Sequence, residues 1–356
     1  MTTAYPRAVY SGLWRHGHCQ GIAVDKARGE MYFSFTTALV RATLDGRVLG
    51  SVTGLVGHLG CIAFNEDDGR VYGSLEYKSD AIGQGIAAML GDTAHHDDAF
   101  YIARFDGTRI DRVGLDACGT GIMQAACLSE VAADYNAATP QGLHRYGCSG
   151  IDGLTFAPPF GAPRDSARRL YVAYGVYSDV NRTDNDHQVI LGYDQASLEG
   201  CFAPLSQAEM HHRGPEQPDE KLFLFTGNTR YGVQNMEYDP FTGNVLLAVY
   251  RGEKPRYANR PMFIIDGRAA PVEAPLTGIP GERGLTLSLL PQGIKDEATG
   301  LYGWDFPYGA TGICALGDGL YYFSHDEKRP DDQGNAWLST AHLYRWDGST
   351  PFRAQE

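Results

Sequence analysis

The stretch "NMEYDPFTGNVLLAVY", residues 235–250, reads as two strands of alternating hydrophobicity joined by a turn that carries Asp, Pro and Gly. Four other stretches repeat its plan: "GIAVDKARGEMYFSF" (21–35), "CIAFNEDDGRVYGSLEY" (61–77), "GLTFAPPFGAPRDSARRLYVAYGVY" (153–177) and "GICALGDGLYYFSHDE" (312–327). Each is followed by a further alternating strand, which in four of the copies closes on Asp-Gly. Repetition at this scale decides architecture before any local assignment does. A meander of antiparallel strands repeated around an axis is a β-propeller, which hides the edges that isolated sheets would expose. The fold class expected is therefore all-β, a propeller of five four-stranded blades, with six or seven as the alternatives, spanning residues 1–356 as one domain.

Five blades in 356 residues leave about 71 residues each, above the roughly 40–50 of a simple blade. Two segments carry part of the excess. "CGTGIMQAACLSEVAADYNAATPQGLH" (118–144) is Ala-rich and predicts a short helical insertion around 117–145. "GLTLSLLPQGIKDEATGLYGWDF" (284–306) fits either the end of the fourth blade or a degenerate sixth. "AVYSGLW" (8–14) is placed to supply the outer strand of the last blade.

The formal net charge of −13 argues against nucleic acid and anionic membranes as partners. The start of the chain has neither the basic segment nor the apolar run of a secretory leader, and no stretch is apolar enough to span a bilayer. A soluble, cytoplasmic protein is expected, or a secreted one if a leader has been removed; the sequence leaves the oligomeric state open. Seven scattered cysteines without a C-x-x-C pair read as reduced thiols. The doublets His95-His96 and His211-His212 read as solvated loop residues.

In a propeller, the loop into each innermost strand and the loop out of the second strand share one face. The incoming loops bring His18, His58, Arg145, Tyr146, Asp152, Arg230, Tyr231, Gln234 and Tyr308; the outgoing ones bring Tyr77, Lys78, Tyr174, Arg182, Tyr250, Arg251 and His325. Two Arg-Tyr pairs, 230–231 and 250–251, therefore bracket one hairpin because both of its ends emerge on that face. Arginine forks bind carboxylates, tyrosines offer flat surfaces to sugar rings, and His or Tyr moves protons. The set suits a uronic-acid sugar in an acidic oligosaccharide, with β-elimination as the reaction. His58, Tyr146 and Tyr231 are the candidate acid and base, Arg230 the candidate stabiliser of the enediolate, and Arg145, Arg251, Tyr77, Lys78, Tyr174, Arg182, Gln234, Tyr250, Tyr308, His18 and His325 the binding residues. Internal carboxylates such as Asp152 or Glu237 are the partners the arginines would need if the cluster were structural rather than an anion site. No cofactor is required, and a calcium ion is left open.

The His, Tyr and Arg face, with the phrases "GHLGCIAFNEDDGRVYGSLEYK" (57–78) and "VNRTDNDHQV" (180–189), resembles the β-propeller polysaccharide lyases related to L-rhamnose-α-1,4-D-glucuronate lyase. The resemblance implies cleavage at a glucuronate and, since those lyases are seven-bladed, a blade count that the repeats here do not match. Gluconolactonase-like lactonases need acidic incoming loops to hold calcium, which these are not. Five-bladed glycosidases need two carboxylates flanking the bond, and the incoming loops offer no obvious pair. A carbohydrate-binding propeller without catalysis is the third alternative.

Overall fold

The computed structural model describes residues 5–92, 97–348 and 350–355, so His95-His96 lies outside the described residues. Five sheets stand around one axis. Blade 1 pairs Cys19–Asp25, Glu30–Phe35, Ala38–Thr43 and Val48–Thr53, innermost first. Blade 2 pairs His58–Asn65, Arg70–Tyr77, Ala99–Phe105 and Met123–Cys127. Blade 3 pairs Cys148–Ala157, Arg169–Val176, His187–Asp194 and Glu220–Phe225. Blade 4 has Thr229–Asp239, Asn244–Arg251 and Met262–Ile265. Blade 5 pairs Ile313–Gly317, Leu320–Asp331 and Gly334–Trp346, and its outer strand is Ala8–Trp14, the role expected of "AVYSGLW".

Apolar packing lies between the blades, because alternate residues of each strand face opposite neighbours. Five buried clusters each join two adjacent blades. The one containing Val9, Ile22, Phe33 and Tyr322 joins the last blade to the first and closes the ring.

The short helix expected within 117–145 is Ser129–Asn136; Met123–Cys127, earlier in that segment, pairs with Ala99–Phe105 as the fourth strand of blade 2. A longer helix, Ala81–Leu90, was not foreseen; Asp80 caps it by accepting from the backbone N–H of Ile82 and Gly83, and Gly91 ends it in the left-handed region. Blade 4 has three strands rather than four. Only isolated bridges from Leu289 and Trp304 reach its third strand, while Arg283–Thr286 instead joins the outer edge of blade 3. Residues 284–306 thus build no sixth blade. The described residues contain no helix long and apolar enough to cross a membrane, and the seven cysteines are free thiols.

Candidate functional site

One cavity of about 690 Å³ opens on the face where the incoming and outgoing loops meet. Blades 1, 2, 3 and 4 all contribute to it: His18 and Gln20, His58 with Glu76 and Lys78, Asp152, and Arg230 with Tyr231, Gln234, Tyr250 and Arg251. The convergence inferred from the repeats is seen for all of these except Gln20 and Glu76.

The floor is a cluster of ionisable groups. His58 and Glu76 are cross-strand partners in blade 2. His58 Nδ1 lies 3.4 Å from Glu76 Oε1 and 3.8 Å from Asp152 Oδ1. Lys78 Nζ is 2.5 Å from Glu76 Oε1 and donates to Ser149 O at 2.7 Å. Gln234 Nε2 donates to Asp152 Oδ2 at 3.0 Å. Burial pushes the Asp152 carboxyl up to about 7, aided by the neighbouring Glu76 charge and only partly offset by His58 and Lys78. Glu76 is also desolvated, yet the Lys78 ammonium and the His58 ring hold it below the ordinary carboxylate value. Desolvation would lower Lys78, but Glu76 and Asp80 outweigh it and raise that ammonium. His18 is driven down to about 4 by burial and by His58, so it is neutral near pH 7.

The opposite wall is phenolic and cationic. Burial, with Asp326 and Asp152 nearby, raises the Tyr250 phenol to about 12, which keeps it a hydrogen-bond donor. Tyr231 meets the Tyr250 ring edge-on at 6.4 Å, and the Arg230 guanidinium lies 5.4 Å from the Tyr231 ring centre. Arg251 is half exposed and pairs with Asp305 at 3.0 Å. Among the described residues no carboxylate pairs with Arg230; neither Asp152 nor Glu237 takes the arginine-partner role that a structural cluster would need. Glu237 lies in a different cavity, with Lys26, Glu66 and Arg168.

Seven of the expected site residues are elsewhere. Tyr146 is buried against Phe223, its hydroxyl donating to Glu282 at 2.8 Å, and Arg145 pairs with the same carboxylate at 3.0 Å. Tyr174 is fully buried and donates to Asp134 at 2.8 Å. Tyr77 points away from the main cavity into the interface between blades 1 and 2 and donates to Gln207. Arg182 is buried in a fork with Asp184 and also donates to the carbonyls of Leu143 and His144. Tyr308 stacks on His325 at 3.8 Å in blade 5, outside the cavity lining. All but Tyr308 hydrogen-bond to another protein group. Conversely, Glu76, Gln20 and Ser149 line the cavity and were not foreseen. The incoming loops thus supply one carboxylate to the cavity, Asp152, and the second, Glu76, comes from an outgoing strand end.

No cluster of three or more His, Cys, Asp or Glu residues able to hold a metal occurs among the described residues. No family model matches the chain, and no curated protein sequence matches it. Solved structures similar to it include the soluble aldose sugar dehydrogenase of Escherichia coli, at 9% identity, covering 94% of this chain and 99% of that one with a TM-score of 0.38. A GH43 β-1,3-galactosidase with galactodeoxynojirimycin matches at 14% identity, 95% and 96% coverage and a TM-score of 0.42. The PQQ domain of a pyranose dehydrogenase from Coprinopsis cinerea matches at 10% identity, 90% and 81% coverage and a TM-score of 0.34. At such identities and scores the chemistry has to be read from the cavity itself.

Proposed function

We propose that the protein is a carbohydrate-active enzyme that cleaves a glycosidic bond to a uronic acid by β-elimination. The observation that carries this reading is the cationic wall. In a chain of net charge −13, the cavity wall carries Arg230, with which no carboxylate pairs among the described residues, and the half-exposed Arg251. Arg230 and Arg251 bind the sugar carboxylate and stabilise the charge that builds on it as the proton at C5 is lost, generally the largest catalytic contribution in such a step. Asp152, protonated below about pH 7, adds a neutral donor to the same developing anion. His58 Nε2 takes the C5 proton; the electron pair forms the C4–C5 double bond; the C4–O bond breaks and Tyr231 protonates the departing oxygen. Tyr250 supplies a flat face and a hydroxyl donor.

The test is incubation with a panel of uronate-containing oligosaccharides, following the ultraviolet absorbance of the new double bond conjugated to the carboxylate. A rise that His58→Ala and Arg230→Ala abolish is expected. One observation favours hydrolysis as a second reading: Asp152 held up and Glu76 held down is the split an acid and base pair shows. Against it, Glu76 is buried beneath the Ile151 N–H and the Lys78 ammonium, with the His58 ring beside it. New reducing ends without absorbance would establish hydrolysis and end the elimination reading, and neither signal across the panel would end both.

A further inference from the structure

Glu76 takes part in no step above, yet the fold is built to receive it. Its residue is 3% exposed, and its Oε2 accepts from the backbone N–H of Ile151, in the next blade, at 2.9 Å. The preceding Gly150 has φ +121, and a Cβ there would lie 1.9 Å from that same oxygen, so the backbone of blade 3 gives way to this carboxylate. Lys78 Nζ, 2.5 Å from Oε1, also donates to Ser149 O, fastening the segment that leads to Asp152. An ionised carboxylate has only acceptor capacity. The contact left at 3.4 Å is His58 Nδ1, a buried ring nitrogen that makes no hydrogen bond as the ring stands and has this carboxylate as its nearest acceptor.

We propose that Glu76 is a positioning residue that accepts the Nδ1–H of His58, fixing the imidazole in the tautomer whose Nε2 is unprotonated and available to the ligand. Only a proton on Nδ1 makes that contact favourable, and Asp152 Oδ1 at 3.8 Å is a second oxygen on the same side of the ring. The titratable and charged groups facing His58 are Glu76 and, behind it, Lys78 from its own blade, Asp152 from blade 3, His18 from blade 1, and Arg230, Tyr231, Tyr250 and Arg251 across the cavity. The proton's destination rests on the elimination reading, whereas the tautomer does not.

NMR of isotopically labelled histidine in the intact protein reads the tautomer directly. The neutral His58 ring is expected as Nδ1–H, and a wild-type spectrum showing the neutral ring as Nε2–H overturns the proposal without any variant being made. In Glu76→Gln the side-chain amide turns its NH2 toward Nδ1 and reverses the tautomer, with kcat falling about 10²–10⁴-fold, KM changing little and the acidic limb of the pH–rate profile moving. An unchanged tautomer in folded Glu76→Gln also overturns the proposal. A fixed Nδ1–H tautomer in a protein inactive on every uronate would sink the elimination reading alone.

Discussion

Blades 3 and 4 begin with the same three residues, Arg-Tyr-Gly, at 145–147 and 230–232, and the backbone treats them alike. Tyr146 and Tyr231 have φ of 58° and 65°, and Gly147 and Gly232 have φ of 70° and 73°; a bulge follows in each innermost strand. The side chains part company. In blade 3 the tyrosine is sealed by Phe223, Lys221 and Glu282, which come from the outer strand and from the long connection after blade 4. In blade 4 nothing comparable arrives, and Tyr231 faces the cavity beside Tyr250. A repeated motif therefore specifies a backbone shape, and what the rest of the chain lays over it decides whether its side chains pack or meet a ligand.

The largest separation expected is kinetic. Arg230→Ala and Tyr231→Phe should each lower kcat on the elimination substrate about 10²–10⁴-fold, while Tyr146→Phe and Arg145→Ala leave turnover within about twofold; steady-state kinetics on the four variants decides it. Stability should show the reverse pattern. Tyr146→Ala is expected to cost about 3–5 kcal/mol in denaturant unfolding because it empties a buried ring's volume, and Tyr231→Ala about 1 kcal/mol or less. Equal losses for the two would mean that the blades do not differ as described.

A pH experiment sharpens the electrostatic side. Asp152 is raised in the folded protein, so its contribution is fully present below the unfolded value near 4 and is lost as pH rises through about 7. Stability should fall across that window by on the order of a few kcal/mol, and Asp152→Asn should flatten the fall. Asp326, also raised to about 7, and Glu237, raised to about 8, act with the same sign, so part of the slope will persist in the variant. The smallest effect expected is on the stability of Arg145→Ala, where a half-exposed ion pair is worth about 0–1 kcal/mol by thermal unfolding.

The propeller was legible because its signal is spread over five copies, each with turn residues at the same place in the hairpin. Its irregular parts were not. Met123–Cys127 is too Ala-rich to read as a strand, and only the edge of Ala99–Phe105 makes it one. Within the site, alternation held information that went unused. If Lys78 faces the cavity, Glu76 two residues before it does so too, and Tyr77 between them must face the neighbouring blade. The same rule offered Glu76 as the missing carboxylate, since an acidic residue inside "VYGSLEYK" needs a polar surrounding. Tyr174 and Arg182 were beyond such reasoning, because their partners, Asp134 on the helix Ser129–Asn136 and Asp184 in a loop, are brought to them by a chain course that only the folded protein reveals.

The pairing of Ala8–Trp14 with Gly334–Trp346 carries a consequence for biosynthesis. Of the propeller's strands, the first to be translated is the last to find its neighbour, since its hydrogen-bonding partner is translated more than 300 residues later. Until then the growing chain is an open horseshoe with two raw edges, a form prone to pairing with other nascent chains. Locking of the ring is consequently a single late event, and a chain cut short before Gly334 lacks the strand that shuts it.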